Sequence, residues 1–425
     1  MINSAASGVP TSTMAVLMLS VFTVSIGYGV TLPLLPYLIE RLLGTGAEAA
    51  SISRATGLLT GLYTLSLFLF APAWGHLSDR YGRRTILLIG LIGFSATMLT
   101  FAFIESLTAV YAERFLSGMF AAAVTPVALA VIGDLAATEE ARAHRLTFVS
   151  LAGITGFLLG PLLGVAIARG AANLLSVVGA VGSLAIPLAG AAVLALLVAG
   201  VGTLTVPGKK HSNATMRRDR RASGIRNWLV ARLLVLAFIV SAGVGVFEVG
   251  LALRGKQELA LTQYQIALMF TECSLVMLVV QAIVFSPWIK PSTTRWFIAP
   301  ALAVLAVGLF LVPRASDFML MLAVVAAVAS SAGILSPILT YWISNKAGQA
   351  QGAELGLQTA AASLGAAAGS VAGGFSFDVA PLPGASFLLV TVLTALGVLL
   401  SLRLPRMLVI RRLGERDEST RAPSN

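Results

Sequence analysis

Four ionisable side chains within long apolar stretches are the residues of this chain that could do chemistry. Glu272 lies within Met269–Ser274, about midway along one stretch; Glu113 and Arg114 are adjacent in a second, and Glu248 lies near the end of a third. A charge held in hydrocarbon costs at least about 2.5 kcal/mol, so each group must reach a cavity, find a partner or, if acidic, bind a proton. All four are candidates for reversible proton coupling, with Glu272 first.

Each of these residues also has a simpler interpretation. Glu272 could stay neutral and hydrogen-bond to Gln281 or to a backbone carbonyl, and Arg114 could extend its side chain to the membrane surface. Glu113 and Arg114 are neighbours in sequence, so on a helix their side chains diverge by about 100°. We therefore expect no close pair between them. Glu248, near a helix end, is expected to reach water.

The composition shows what positions these side chains. The chain has 425 residues, of which 57% are hydrophobic and only 11% charged, with a mean hydropathy of +0.90. Soluble domains carry about 25% charged residues, so this is an all-α integral membrane protein with room for about twelve spans. The first apolar stretch precedes no obvious cleavage site, and we interpret it as a retained span. Helices are predicted at residues 14–38, 53–74, 85–104, 108–132, 147–168, 174–206, 227–250, 263–287, 296–313, 318–343, 354–377 and 384–403.

The basic residues predict how the chain is oriented. With both termini in the cytoplasm, 21 of the 29 Lys and Arg residues fall on the cytoplasmic side. Such a bias follows the positive-inside rule and predicts a multi-pass protein of the cytoplasmic (inner) membrane. Membrane topology therefore accounts for the net charge of +11, and no nucleic-acid partner is needed.

One long polar segment divides the chain in two. Residues 207–226 carry seven basic residues and are predicted to form a cytoplasmic linker, which could lie against anionic lipid. The predicted units are an N-terminal six-helix bundle at 1–206, a C-terminal six-helix bundle at 227–403 and a cytoplasmic tail at 404–425.

Matched spacings suggest that the two halves are repeats. Pro126 precedes Asp134 by eight residues at the end of the fourth helix, and Pro337 precedes Asn345 by the same distance at the end of the tenth.

The polar stretch between the second and third helices has an unusual pattern. Gly75 and Gly82 favour a sharp turn, and Asp79 can meet neighbouring arginines or positive helix ends. A plain positive-inside loop would explain the arginines but not the glycine–aspartate–glycine spacing. This spacing resembles the loop signature between helices 2 and 3 of the major facilitator superfamily of transporters. The residues assigned to a conformational-switch loop on that basis are Gly75, Asp79, Arg80, Gly82, Arg83, Arg84 and, at the end of the fourth helix, Asp134.

The predicted fifth helix carries a second motif. Gly156, Gly160 and Gly164 are four residues apart and line one helix face, and Pro161 removes a backbone donor and bends the helix. Ordinary packing of small residues is the simpler interpretation. The pattern also resembles the motif of the drug:proton antiporter branch of the superfamily, although Val165 stands where that motif usually has a further glycine.

The resemblance implies the major facilitator fold, with two pseudo-symmetric bundles of six helices. It further implies a monomeric antiporter that exports a small amphipathic compound (a drug, siderophore or other metabolite) by alternating access. Arg114 resembles the helix 4 arginine assigned to proton coupling in that family. Several tetracycline exporters have an acidic residue on helix 1, which is absent between Met1 and Ile39, so tetracycline itself is a poor candidate. The alternative is a proton-coupled uptake symporter on the same fold.

The sequence has no arrangement of residues that is typical of an enzyme active site. The three histidines have no ligand spacing, and the single cysteine cannot form an internal disulfide or a cysteine cluster for a metal. No glycine-rich phosphate loop ends in Lys-Ser or Lys-Thr. We therefore expect no enzymatic activity, no metal and no cofactor, with a proton gradient as the energy source.

Overall fold

The computed structural model describes residues 9–44, 46–135, 139–174, 180–208, 228–284, 286, 289–346, 351–378 and 384–408. Within these ranges the chain forms twelve α-helices, two 3₁₀ helices and no β-strand. The α-helices are α1 (Thr11–Leu43), α2 (Ala49–Tyr81), α3 (Arg83–Phe101), α4 (Leu107–Leu135), α5 (Glu139–Leu174), α6 (Ala180–Thr205), α7 (Trp228–Gln257), α8 (Gln263–Val284), α9 (Ile298–Leu311), α10 (Phe318–Lys346), α11 (Gln351–Phe375) and α12 (Ala385–Ser401).

Most of these helices can cross a membrane. Ten of the described helical segments are long and apolar enough to do so, and α12 is apolar but shorter, at 17 residues. Only α-helices and closed barrels satisfy all their backbone hydrogen bonds in hydrocarbon, which is why apolar stretches of about 20 residues fold in this way. The predicted all-helical membrane architecture is confirmed.

The helices pack as two equivalent sets of six. In the first set α1 packs on α5, α2 on α4, and α3 on α6; in the second α7 packs on α11, α8 on α10, and α9 on α12. The principal contacts between the sets are α2 with α11 and α5 with α8. These two contacts are equivalent, because α2 of the first set corresponds to α8 of the second, and α5 corresponds to α11. This is the expected pair of pseudo-symmetric bundles.

Glycines bring helix backbones together in both bundles. A Cβ atom on Gly160 of α5 would lie 2.8 Å from the carbonyl oxygen of Ile26 on α1, and Gly156 makes an even closer approach one turn away. In the second bundle a Cβ on Gly369 of α11 would lie still closer to the carbonyl oxygen of Ala242 on α7. The α5 glycines therefore lie where α5 and α1 approach closely, and the arrangement is repeated in the other half.

The predicted hairpin loop between the second and third helices is wrong in its extent. α2 continues to Tyr81 and α3 begins at Arg83, so Gly75 and Asp79 are helical and only Gly82 stands between the helices. Gly82 has a φ of +99°, which glycine adopts without steric cost. Polar side chains need not end a helix at the membrane surface, because the backbone hydrogen bonds persist there while the side chains reach water.

Other predicted boundaries shift by several residues. The long sixth stretch, expected at 174–206, divides so that α5 ends at Leu174 and α6 begins at Ala180. Before α9, residues Pro291–Phe297 form a 3₁₀ helix. The basic linker predicted at 207–226 and the tail predicted at 404–425 lie outside the described residues, apart from 207–208 and 404–408.

Candidate functional site

A cavity of about 260 Å³ lies between the two bundles, bordered by α1, α5, α7, α8 and α10. Its volume approaches the lower limit of small-molecule pockets, which is about 300 Å³. The lining is largely apolar and aromatic, with few polar groups, as such pockets require. The lining residues that matter below are Tyr28, Phe157, Phe247, Glu248, Phe270 and Cys273.

Glu248 is the acidic residue of this lining. The Tyr28 hydroxyl donates a 2.8 Å hydrogen bond to Glu248 Oε2, so α1 of one bundle is joined to α7 of the other. Glu248 was expected to reach water because the seventh helix was predicted to end at residue 250. The predicted helix end is wrong: α7 continues to Gln257, and the nine further residues place Glu248 about 13 Å below its end, in the lining of the cavity.

Stacked aromatic rings connect Glu248 to a buried ion pair. The Tyr28 ring stacks on Tyr63, with centroids 5.0 Å apart, and on Phe157 at 5.8 Å. Beyond Tyr63, the guanidinium carbon of Arg114 lies 5.7 Å from the Tyr63 ring centroid. The order Arg114–Tyr63–Tyr28–Glu248 therefore runs from α4 through α2 and α1 to α7. Tyr28 and Tyr63 were not singled out from sequence, where aromatic residues at helical spacing look like packing.

Glu113 and Arg114 form a two-point ion pair, contrary to expectation. Arg114 Nε lies 2.6 Å from Glu113 Oε2 and Nη2 lies 2.8 Å from Oε1, and the two side chains are only 2% and 3% exposed. The Phe101 ring is 4.3 Å from the Arg114 guanidinium carbon. Two long side chains can curl together in spite of their divergence, and leaving either charge alone in a buried site costs several kcal/mol. Arg114 therefore does not extend to the membrane surface.

Glu272 lies apart from this arrangement. Its neighbours Cys273 and Ser274 line the cavity, but Glu272 belongs to the opposite face of α8, with the half-exposed Leu275 and Val279. Its Oε2 atom is buried, and no hydrogen-bond partner reaches it among the described residues. Of the three alternatives given for Glu272, a position in the central cavity is not the one found, because α8 is apolar on all sides and its sequence does not indicate its rotation.

Arg83 links the acidic residues of the motif at the α2–α3 junction. Its Nη1 atom pairs with Asp79 at 2.6 Å and its Nε with Asp134 at 3.0 Å, so the ends of α2, α3 and α4 are held together. The predicted contact of Asp79 with a neighbouring arginine is present. Arg80 lies 5.4 Å from the ring of the adjacent Tyr81 at the protein surface. Arg84 is the second residue of α3, next to Arg83, and is partly exposed.

A set of polar contacts between the bundles lies at the end that holds the α1–α2 and α7–α8 connections, predicted to be the outer end. Lys256 Nζ pairs with Glu40 at 2.6 Å, donates to the Pro36 carbonyl at 2.8 Å and lies 4.8 Å from the Tyr37 ring centroid. The Tyr37 hydroxyl donates to the Leu261 carbonyl. We call these five residues the outer latch. Opposite charges at the helix ends are visible in the sequence, but their pairing depends on the fold.

Two further contacts reinforce this end. The Ser53 hydroxyl of α2 donates to Asp378, which follows α11, and Gln257 donates to Ser53 at 3.3 Å. One helical turn from Ser53, α2 crosses α11 at Gly57, where an added Cβ would lie 2.6 Å from the Cα of Gly374. The two bundles therefore meet backbone to backbone close to the outer latch.

Comparison with known sequences points to one family of transporters. A sequence profile described as Major Facilitator Superfamily matches residues 17–353. "Multidrug resistance protein 1" of Bacillus subtilis (strain 168) is 26% identical over 399 residues, which are 92% of this chain and 95% of that protein. "Quinolone resistance protein NorA" of Staphylococcus aureus (strain COL) is 26% identical over 366 residues, covering 86% of this chain and 89% of NorA.

Solved structures have the same fold. The human organic anion transporter MFSD10 superposes with a TM-score of 0.68 at 21% identity, covering 92% of this chain and all of MFSD10. A D-xylose–proton symporter superposes with a TM-score of 0.71 at 14% identity, covering 92% of this chain and 97% of the symporter. Together with the profile match and the paired six-helix bundles, these similarities show that the chain belongs to the Major Facilitator Superfamily and is a multi-pass membrane transporter rather than an enzyme.

Proposed function

We propose that this transporter is a proton-coupled antiporter that exports small amphipathic compounds, with Glu248 as its central residue. The observation that carries the proposal is an acidic side chain in an aromatic cavity between the bundles, hydrogen-bonded across their boundary to Tyr28. Near-full-length relatives named for multidrug and quinolone resistance support export of drug-like compounds. A proton gradient supplies the energy, and no cofactor is required.

Coupling follows from competition at the carboxyl group of Glu248. An ionised carboxylate in an apolar cavity is stable only with a partner, which is either a proton or the cationic part of a substrate. Because the group holds one of them at a time, each substrate that leaves is exchanged for protons that enter. Phe157 and Phe247 supply apolar surface and ring faces that attract organic cations. The substrate class that fits is therefore an amphipathic cation, whether a drug or another metabolite.

The buried pair of Glu113 and Arg114 has a supporting part in this proposal. Its charges cancel, and the Arg114 guanidinium fixes Tyr63 by its position over the ring. Tyr63 in turn stacks on Tyr28, which holds Glu248. Movement of one bundle against the other would disturb this stack, so the state of Glu248 can be communicated to the first bundle.

Alternating access requires each bundle to move as a body. Asp79, Arg83 and Asp134 join the inner ends of three helices of the first bundle, and the α5 glycines hold that bundle together near the midplane. We place both termini and the 207–226 linker in the cytoplasm and treat the monomer as the functional unit in lipid. Periplasmic reporter activity from fusions at Ser212 or Ser419 would contradict this orientation.

The test uses inside-out membrane vesicles, the fluorescent cation ethidium and an imposed pH gradient, acid inside. Ethidium should accumulate against its gradient with the wild-type protein, and Glu248→Gln should abolish accumulation while the variant remains folded in the membrane. Cys273→Ser, a nearby lining residue, is the matched control and should keep most of the activity. Full uphill transport by Glu248→Gln would overturn the assignment. Gradient-driven accumulation inside intact cells would favour an uptake symporter instead.

A further inference from the structure

The two faces of α8 have different surroundings. Successive residues of a helix are about 100° apart, so positions along α8 fall into two opposite groups. One group lines the cavity and comprises Phe270, Cys273, Ser274 and Met277. The other is an apolar stripe that we call the α8 stripe and comprises Leu268, Glu272, Leu275, Val279 and Ile283. Leu275, Val279 and Ile283 are 49%, 48% and 55% exposed.

The position of α8 shows what the α8 stripe faces. α8 packs on α10 within its own bundle and on α5 of the other bundle, while its cavity face points to the centre. The remaining, exposed face therefore looks into the bilayer at the boundary between the bundles. Glu272 is nine residues from the start of α8 at Gln263, about 13 Å, and therefore near mid-depth in a hydrocarbon layer of about 30 Å.

The surroundings of the Glu272 carboxyl group are unfavourable for a polar side chain. Its Oε2 atom is buried against the protein and no donor reaches it within the described part of the chain, while the residue as a whole is partly exposed. A carboxyl group gains nothing in packing on a lipid-facing stripe where Leu would fit. Burying a polar atom without a hydrogen bond is costly, and the partly exposed remainder of the side chain is where a ligand from the bilayer can approach the carboxyl group.

We propose that Glu272 and the α8 stripe form a lipid-facing recruitment site for amphipathic organic monocations. Such a cation reaches Glu272 from within the bilayer, places its apolar part on Leu275 and Val279, and then passes between α5 and α8 into the central cavity. The opposite charge selects cations, and the surrounding hydrocarbon strengthens the attraction. The site rests on the proposed export function but is separate from Glu248, which lies on the other side of α8.

The experiment measures transport and binding of one probe, tetraphenylphosphonium, in liposomes and lipid nanodiscs. Glu272→Gln should raise KM for gradient-driven transport about tenfold, the equivalent of 1.4 kcal/mol, and change kcat less than twofold. Glu272→Asp should recover most of the affinity. Val307→Gln, which adds a polar side chain at a 57% exposed position of α9 outside the α8 stripe, is the matched control and should leave KM within about twofold.

Each other outcome has a defined meaning. An unchanged KM in Glu272→Gln overturns the recruitment site, as does complete loss of uphill transport with unchanged probe binding, which would make Glu272 a proton carrier. Dissociation of a dimer by Glu272→Gln would instead assign the stripe to a second copy of the chain. If Glu248→Gln transports normally while Glu272→Gln raises KM, the proposed role of Glu248 fails and the recruitment site stands.

Discussion

Replacing Lys256 by methionine should open the outer end of the transporter. Three contacts are lost, all of which join the two bundles: the ion pair with Glu40, the hydrogen bond to Pro36 and the cation–π contact with Tyr37. The Glu40 carboxylate is 47% exposed, so its pair contributes about 0.5 kcal/mol. The hydrogen bond and the ring contact add about 1.5 kcal/mol together. The loss of about 2 kcal/mol shifts the equilibrium towards an outer-open state by about 30-fold.

The chain contains its own reporter for this shift. Cys273 is the single cysteine, and it is buried in the lining of the cavity. A membrane-impermeant maleimide added to the outer side of intact cells can label it only when the outer end is open. The labelling rate should therefore rise in Lys256→Met, up to the 30-fold population change. Cys273→Ser provides the unlabelled baseline.

The controls separate opening from loss of a charge. Lys290→Met removes a lysine at the opposite end of the bundles, next to the 3₁₀ helix, and should leave labelling unchanged. Glu40→Gln removes only the exposed ion pair and should give a smaller increase, about twofold. If Lys256→Met labels no faster than wild type, the outer latch does not hold the bundles together and the energetic reasoning fails.

Three further substitutions test other parts of the structure. Glu113→Ala leaves Arg114 buried and unpaired, so thermal unfolding in detergent should show a loss of about 3 kcal/mol. Gly160→Leu must separate α5 from α1 and should lower stability by about 2 kcal/mol, seen as reduced yield of folded protein. Asp79→Asn weakens the contact with Arg83 and should impair ethidium transport far more than surface expression.

These substitutions have matched controls as well. Gly190→Leu adds the same side chain to α6 where no atom lies within 4 Å, and folded yield should be unchanged. Wild-type stability in Gly160→Leu would show that α5 can move away from α1 without cost. Normal transport by Asp79→Asn would show that the α2–α3 junction serves only as a positively charged contact with the membrane surface.

The fold could be predicted from sequence because the solvent dictates it. A stretch of about 20 apolar residues such as the start of α1 must be helical in a bilayer, and the glycines of α5 mark a close contact by their spacing. The path of the α2–α3 junction was harder to predict, because polar residues such as Asp79 are compatible with either a loop or a helix at the membrane surface.

The candidate site depended on features that the sequence does not encode locally. The depth of Glu248 changed when α7 proved seven residues longer than predicted, and Glu272 turned away from the cavity because an apolar helix has no preferred rotation. The pairing of Glu113 with Arg114 reflects the scarcity of alternative partners in a water-free site rather than ideal helix geometry. Each of these outcomes is set by neighbouring helices.

The bare crossing of Gly57 and Gly374 has a mechanical consequence. Neither glycine has a side chain at the crossing point itself, so α2 can tilt on α11 there, and the crossing serves as a pivot. It is eight residues, about 12 Å, from the start of α2 at Ala49, but 24 residues, about 36 Å, from its end at Tyr81. A tilt of α2 by about 10° about this point would move the short arm by about 2 Å and the long arm by about 6 Å. The two arms of α2 are thus unequal. A small movement at the short arm, which breaks a few hydrogen bonds at one membrane surface, accompanies a movement about three times larger at the other surface.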